Sequence, residues 1–301
     1  MSVRFGSCVC LIGLLFCVAA QAESSASRSP AERKGSAKSS SAQPAEALGK
    51  RGDAEGEKTV EMFAAMKSGE IDVKLIARDS RGGNVLIPTF ALERAQEILF
   101  ALHQAVARRR FPRSLPVFLD SPMAVSATEI YRKHPECFPP AVQAAMASDD
   151  PFSLPALTVT PETADSAAIN RITGGAVILA GAGMCTGGRI RHHLRHNLAN
   201  PNASVVFVGF AARGTLARQI IDGAKMVKIL GDDVAVRARV HTINGFSAHA
   251  DQAELLDWHR RIGGVRRTFL VHGEAEVMDA FATCLASEAV VQPALHQVID
   301  L

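Results

Sequence analysis

Short apolar runs alternate with helical patterns from residue 81 to the end of the chain. Residues 85–87 form an apolar run that Pro88 ends, and apolar residues then recur at spacings of three and four between Leu92 and Val106. A short, wholly apolar run is typical of a buried strand, and the spacing that follows is typical of a helix with one buried face. Four further strand-like runs are 117–119, 176–180, 205–208 and 268–271. Buried strands that alternate with helices predict an α/β fold, in which helices cover both faces of a parallel sheet.

The beginning of the chain has the pattern of an export signal. Arg4 precedes an apolar stretch at 5–20, and Ala20-Gln21-Ala22 has the small-x-small pattern of a cleavage site. We therefore expect residues 1–22 to be a signal-peptide-like leader that directs export, to the periplasm in a bacterium. The apolar stretch is too short for a membrane-spanning helix, so no membrane span is expected.

The next segment predicts no packed core. Residues 23–58 are rich in Ser, Ala, Lys and Glu and contain almost no large apolar residue. Such a composition cannot bury enough surface to offset the entropy of ordering the chain. With a short amphipathic piece at 60–66, this predicts a low-complexity linker and short helix over 23–80.

Composition and charge exclude little by themselves. Of 301 residues, 48% are hydrophobic and 21% are charged, and the formal net charge is only +3, so charge alone does not indicate a nucleic-acid-binding protein. The basic runs 108–110 and 266–267 could contact phosphates, but we interpret them as solvated surface. By themselves they do not predict nucleic-acid binding. Outside the leader, Cys137, Cys185 and Cys284 are widely spaced, so neither a disulfide framework nor a C-x-x-C zinc site is predicted.

The ends of the predicted strands carry hydroxylated or glycine-rich segments: 88–90 (PTF), 120–122 (DSP) and 181–188 (GAGMCTGG). In open α/β sheets ligands gather at these carboxyl ends, and a glycine-rich turn before a helix presents free N–H groups to an anion. The alternative is that the loop only packs its helix closely against the strand. A dinucleotide cofactor is disfavoured, because 207–210 supply no acidic residue at the end of the next strand. We expect a phosphate-binding groove formed by Ser121, Gly183, Thr186, Gly187 and Arg189.

Two sets of histidines are candidates for chemistry. His249 and His272 follow loop and strand patterns, although a lone histidine is more often a structural residue than a ligand. His192, His193 and His196 could form a metal-binding patch, but we interpret them as residues of a surface helix.

Six segments, in order, resemble the β-CASP family of metallo-β-lactamase-fold RNA nucleases, which includes ribonuclease J and the endonuclease that cleaves mRNA 3′ ends. They are 88–96 (PTFALERAQ), 119–124 (LDSPMA), 183–189 (GMCTGGR), 214–216 (GTL), 245–251 (GFSAHAD) and 271–274 (VHGE). The resemblance implies a β-CASP domain over 81–240 and the C-terminal, RNA-specificity segment of a metallo-β-lactamase αββα fold over 241–301. It also implies that His249 acts near the scissile phosphate, that His272 is a zinc ligand and that the partner is RNA.

The sequence departs from the family in its first 80 residues. Members of the family carry an H-x-H-x-D-H motif and further zinc ligands before the β-CASP domain, whereas residues 1–80 contain no histidine. His272 is the one zinc ligand that carries over, and zinc sites need three or four protein ligands per metal. We therefore expect a truncated relative that does not hold zinc stably and is inactive by itself.

Three functional hypotheses follow. The chain acts as a zinc-dependent ribonuclease if the missing ligands come from elsewhere, for example from a complete homologue. Alternatively it is a non-catalytic module that binds single-stranded RNA or phosphate with low sequence selectivity, or a gene fragment without function. Export is expected if the leader is genuine, and a cytoplasmic location, as for the family, is the alternative.

Overall fold

The computed structural model describes residues 2–4, 73–138, 140–243, 250–262, 264–285 and 289–300. Two compact units account for them: 73–243 form one, and 2–4 together with 250–300 form the other. The helices are α1 Val73–Asp79, α2 Arg94–Ala107, α3 Pro122–Lys133, α4 Pro140–Ser148, α5 Thr163–Ile169, α6 Ile190–Asn197, α7 Leu216–Ile221, α8 Gln252–Ile262 and α9 Ala275–Cys284, and a 3₁₀ turn spans Pro135–Cys137. The strands are β1 Ser2–Arg4, β2 Val85–Pro88, β3 Val117–Asp120, β4 Leu157–Val159, β5 Val177–Ala180, β6 Ser204–Val208, β7 Met226–Ile229, β8 Asp232–Ala235, β9 Arg239–Ile243, β10 Thr268–Phe269, β11 Val290–Val291 and β12 Val298–Asp300.

A six-stranded parallel sheet is the frame of the larger unit. Its strand order is β4-β3-β5-β2-β6-β9, and every neighbouring pair in it is parallel. Both faces are covered, because successive side chains of a strand point to opposite sides. Val85 and Ile87 pack into a core with α1 to α4, whereas Leu86 packs into a second core with α5 to α7. The predicted parallel α/β fold with helices on both faces is confirmed.

The predicted strands and helices of this unit are found within a few residues of their expected bounds. The strand-like runs at 85–87, 117–119, 176–180 and 205–208 became β2, β3, β5 and β6. The sequence analysis did not predict α3, α4, α5, the edge strand β4 or the antiparallel pairing of β7 with β8, and the segment at 234–240, which it interpreted as one element, is divided between β8 and β9. Helix α1 lies within the segment interpreted as linker and short helix, and the amphipathic piece at 60–66 lies outside the described residues.

The described residues of the smaller unit form two short sheets and two helices. Strand β10 pairs in parallel with β11, and β12 pairs antiparallel with β1, in the register Ser2 to Asp300. Leu270, Phe281 and Leu285 form its buried cluster. Of the predicted leader, only Ser2–Arg4 belongs to the described residues. No helix in the described part of the chain is long and apolar enough to cross a membrane.

Candidate functional site

The carboxyl ends of three neighbouring strands bring the predicted groove residues together. Strand β5 lies between β3 and β2, so the loop after β5 is flanked by Ser121 on one side and Thr89 on the other. The Thr89 N–H donates to the Ala180 carbonyl at 3.0 Å. A Cβ built on Gly181, the first loop residue, would lie 3.6 Å from both the Ser121 Oγ and the Thr89 carbonyl oxygen. The loop therefore emerges between two hydroxyl-bearing strand ends.

The glycine-rich loop folds back on its own first residue. The Ile190 N–H, at the start of α6, donates to the Gly181 carbonyl at 2.9 Å. Gly188 makes this approach possible: its φ is +71°, and a Cβ there would lie only 2.2 Å from the Gly181 oxygen. An L-residue side chain at that position would clash with backbone that cannot move aside. Gly187 is different, because a Cβ built on it meets nothing within 4 Å.

Several N–H groups of the loop remain available to a ligand. Cys185 N–H donates to the Ala182 carbonyl, and Ala182 N–H to the Gly187 carbonyl. Gly183, Thr186 and Gly187 N–H have no acceptor among the described residues. Successive unpaired N–H groups in a tight loop form a concave anion-binding site.

Ser121 has a structural task as well. Its Oγ accepts a hydrogen bond from the Ala124 N–H at 3.3 Å, so it caps the first turn of α3, and Pro122 occupies the first helical position. A serine cap followed by proline is a standard helix start, which explains why α3 begins there. The hydroxyl proton is not used by this cap and can still be donated.

Arg189 anchors the loop from behind. Its Nη1 donates to Asp120 Oδ1 at 2.8 Å and to the Thr160 carbonyl, and its Nη2 donates to the Pro161 carbonyl at 2.8 Å. These bonds use three of the five guanidinium N–H groups. They tie the loop after β5 to the end of β3 and to the segment after β4. A phosphate contact by Arg189 stays a prediction, and its observed contacts are those of a positioning residue.

Asp120 is the centre of this polar network. Its buried side chain accepts from Thr160 Oγ1 at 2.7 Å, from Ser166 Oγ at 2.7 Å and from His193 Nε2 at 2.6 Å. Burial by itself would raise the pKa of the Asp120 carboxyl, but the hydrogen bonds from His193, Ser166 and Thr160 outweigh it and lower that pKa to about 2. The carboxylate therefore stays charged at any physiological pH.

The surface interpretation of the histidine cluster is wrong for His193. That side chain is fully buried, and its Nδ1 lies 2.9 Å from Asn170 Oδ1. His192 and His196 are exposed, as expected. The signal was present in the sequence, because Ile190, His193, Leu194 and Asn197 have the i, i+3, i+4, i+7 spacing of a buried helix face, and all four are buried.

The two histidines expected to act in hydrolysis are not joined into a site by the described residues. His249 lies in 244–249, outside them. His272 is exposed after β10. No group of three or more His, Cys, Asp or Glu side chains in the described ranges could hold a metal ion. One exposed imidazole does not supply the three or four ligands that zinc requires, so the described residues do not fit a zinc site.

Comparisons with known proteins match most of the region after residue 94. Residues 95–220 match the Beta-Casp domain, and residues 233–293 match the Zn-dependent metallo-hydrolase RNA specificity domain. The chain is 48% identical over 208 residues to "Ribonuclease TTHA0252" of Thermus thermophilus, which covers 69% of this chain and 47% of that protein.

Similarity extends to archaeal proteins. The chain is 34% identical over 203 residues to "Transcription termination factor FttA" of Thermococcus kodakarensis and 32% identical over 202 residues to the protein of that name in Methanocaldococcus jannaschii. These matches cover 65% and 64% of this chain, and 31% of each relative. The chain thus spans about half the length of the bacterial relative and about a third of the archaeal ones.

Proposed function

Because the chain belongs to the β-CASP family of metallo-β-lactamase-fold RNA nucleases, we propose that its larger unit binds the phosphate backbone of single-stranded RNA at the carboxyl edge of the sheet. The observation that carries the proposal is the loop of residues 181–189, whose unpaired N–H groups are fixed in place through Arg189 and the buried Asp120. Fixed donors bind an anion more strongly than mobile ones, because no ordering entropy is lost on binding.

The expected selectivity follows from the donor type. Backbone N–H groups and the Ser121 hydroxyl recognise phosphate oxygens, which are the same in every nucleotide. Binding should therefore depend weakly on sequence and steeply on salt, since each neutralised phosphate releases counterions. Thr186 and Gly187 contribute through their N–H groups, and Gly183 does the same beside the ring of Phe90, which lies 3.0 Å from a Cβ built on that glycine.

RNA hydrolysis is the second candidate function, favoured by the 48% identity to a ribonuclease. We propose that these residues do not hydrolyse RNA by themselves, as in a truncated relative, and that the further metal ligands come from another polypeptide such as a complete homologue. His272 would then be one ligand among several, and His249 would donate a proton near the scissile phosphate, as the family resemblance implies. Purified protein should accordingly retain well under one zinc ion per chain after dialysis, measured by elemental analysis.

Substitutions at Gly187 test the RNA-binding proposal. A side chain fits there without a clash, so Gly187→Ala serves as the matched steric control. Gly187→Asp places a negative charge beside the bound phosphate, at a cost of about 1 kcal/mol or roughly fivefold in affinity, and Gly187→Lys should strengthen binding by a similar factor. The measurement is fluorescence anisotropy of a labelled single-stranded RNA at two salt concentrations.

The outcomes of this experiment separate the hypotheses. An order of affinity Lys above Ala above Asp supports the carboxyl-edge site. Equal affinities for the three variants place RNA elsewhere on the protein, and no binding at low salt leaves a fragment without an RNA-binding function.

We also propose that residues 1–22 direct export, with a cytoplasmic location as the alternative. Cleavage after Ala22 would remove Ser2–Arg4, the partner strand of Val298–Asp300. The leader and the β1–β12 pairing therefore exclude each other in a mature exported chain. Mass spectrometry of the N-terminus from a bacterium with an export pathway distinguishes them: a start at Glu23 supports export, and an intact N-terminus in soluble protein contradicts it.

A further inference from the structure

A second pocket lies at the opposite, amino edge of the same sheet. Helix α2 runs back along the sheet and ends at Ala107, just before the segment that leads into β3. Around this end lies a cavity of about 640 Å³. The residues that matter for its chemistry are Arg81, Arg109, Arg110, Arg113, Val106 and Phe111.

The rim of this cavity, which we call the amino-edge pocket, carries four arginines. None of the residues that line it is acidic. Arg81, Arg109 and Arg113 are exposed, and no carboxylate lies within ion-pair distance of their guanidinium groups in the described ranges. Nearby arginines behave differently, since Arg78 and Arg239 both pair with the buried Asp79.

Two of these arginines lie in a tight turn of the backbone. After α2 the chain reverses tightly: Arg109 N–H donates to the Val106 carbonyl at 3.0 Å, and Arg110 N–H donates to the Ala105 carbonyl at 2.7 Å. Arg109 adopts a left-handed φ of 56° in this turn. Cations after a helix also stabilise the negative end of its dipole, which explains one or two of them. Arg81 lies two residues after the end of α1, where the same effect applies, but Arg113 lies beyond the end of both helices, so a helix dipole does not account for it.

The floor of the pocket is apolar. Ala77, Val106 and Phe111 are buried beneath the arginines. An apolar floor suits the flat face or sugar edge of a nucleoside, and the rim suits its phosphate. The volume is within the roughly 300–1,000 Å³ of pockets that hold small ligands, and so exceeds the needs of a lone phosphate.

We propose that the amino-edge pocket binds one phosphate-bearing nucleotide unit of a single-stranded RNA, as a second contact beyond the carboxyl edge. This inference rests on the proposed function for the identity of the ligand and extends the RNA path to the far side of the sheet. RNA long enough to reach both edges should bind more tightly than RNA that reaches only one.

The test is the double variant Arg81→Gln with Arg113→Gln. Neither guanidinium group has a bond within the described residues, so the change removes charge without removing a native contact. Arg171→Gln with Arg237→Gln is the matched control: both are exposed arginines of the same unit outside the pocket, and the net charge changes equally. Anisotropy is measured with single-stranded RNAs of about 6 and about 30 nucleotides over a range of salt concentrations.

For the long RNA, the pocket variant should weaken binding about tenfold at low salt. It should also reduce the slope of log affinity against log salt by about 0.7, the value expected for the loss of one phosphate contact on a single strand. The control should change affinity less than twofold. If both double variants lost the same affinity for RNA, the effect would come from net charge and not from the pocket, and the proposal would be overturned.

Failure of this inference and failure of the proposed function give different patterns. If only Gly187→Asp weakens binding, the carboxyl edge stands and the amino-edge pocket does not. If only the Arg81 and Arg113 variant weakens binding, the pocket stands and the carboxyl-edge proposal fails. Thermal melting of each variant confirms that the comparison concerns folded protein.

Discussion

The two edges of the sheet use charge in opposite ways. At the carboxyl edge the buried Asp120 is neutralised internally: it accepts hydrogen bonds from Arg189 and His193, and the loop offers a ligand backbone N–H groups. At the amino edge Asp79 is neutralised in a similar way, but Arg81 and Arg113 are exposed and have no ion-pair partner within the described part of the chain. The carboxyl edge would thus bind an anion through backbone N–H groups held in a fixed loop, and the amino edge through charged arginine side chains. Substitution of the buried carboxylate at the carboxyl edge should therefore lower the free energy of unfolding, whereas substitution of the arginines at the amino edge should lower the salt-dependent affinity for RNA.

The largest expected effect is that of Asp120→Asn. The amide has nearly the same shape but turns an N–H₂ group toward donors and leaves the Arg189 guanidinium without its counter-charge. Removing one partner of a buried charge pair costs about 3 kcal/mol or more of folding free energy. Urea unfolding measures it. Asp222→Asn, which breaks an exposed pair with Arg218 in α7 and its cap, is the control and should cost about 0.5 kcal/mol.

The pH dependence of stability gives the next largest effect. The pKa of Asp120 is lowered from 3.8 to about 2. A lowered carboxyl pKa contributes stability that is fully present above the unfolded-state value and is lost as the pH falls through the folded-state value. The contribution, about 2 kcal/mol, should therefore disappear between pH 3.8 and about 2. The stability gap between the wild type and Asp120→Asn should narrow over that interval, and a gap that stays constant would contradict the assignment.

The stability loss caused by Asp79→Asn, at the amino edge, is to be compared with that caused by Asp120→Asn, at the carboxyl edge. Asp79 Oδ2 accepts from Ser204 Oγ at 2.6 Å and from His241 Nε2 at 3.0 Å. Burial raises the pKa of its carboxyl, yet the bonds from Ser204 and Arg78 and the charge of Arg239 lower it below its usual value. Its arginine partners are largely exposed and can turn to water, so the loss should be about 1–2 kcal/mol. A loss as large as that of Asp120→Asn would break the distinction between the edges.

The smallest effect concerns the reactivity of the Cys185 thiol, which can be measured on the unaltered protein. The thiol is fully buried in the glycine loop, and burial raises its pKa to about 12, so little thiolate is available to react. Cys137 and Cys284 are exposed. Brief alkylation followed by peptide mass spectrometry should label those two and leave Cys185 unmodified. In Asp120→Asn, Cys185 should become reactive if Arg189 anchors the loop as described.

The sequence predicted the parts of this molecule that depend on local pattern. The apolar runs located β2, β3, β5 and β6, and the glycines located the loop. The network behind the loop was missed, because Asp120 and His193 are 73 positions apart in sequence and meet only when β3 and α6 are packed. Helix α3 was missed although Ser121 and Pro122 are a standard helix start. Its apolar residues do not form one buried face, since Met123 and Ile130 are exposed and only Ala124 and Thr128 are buried.

The strand order also determines when the sheet can begin to form during synthesis. Strands β2 and β3 are the first two strands of the six-stranded sheet to be made, yet they are not neighbours, and both pair with β5. The first partner to leave the ribosome for either of them is therefore β4, at Leu157–Val159, and β2 waits until Val177–Ala180. Closing such long loops before any pairing energy is gained slows folding. Nascent chains of this protein therefore expose the apolar residues of β2 and β3 before these strands can pair, which favours aggregation during synthesis.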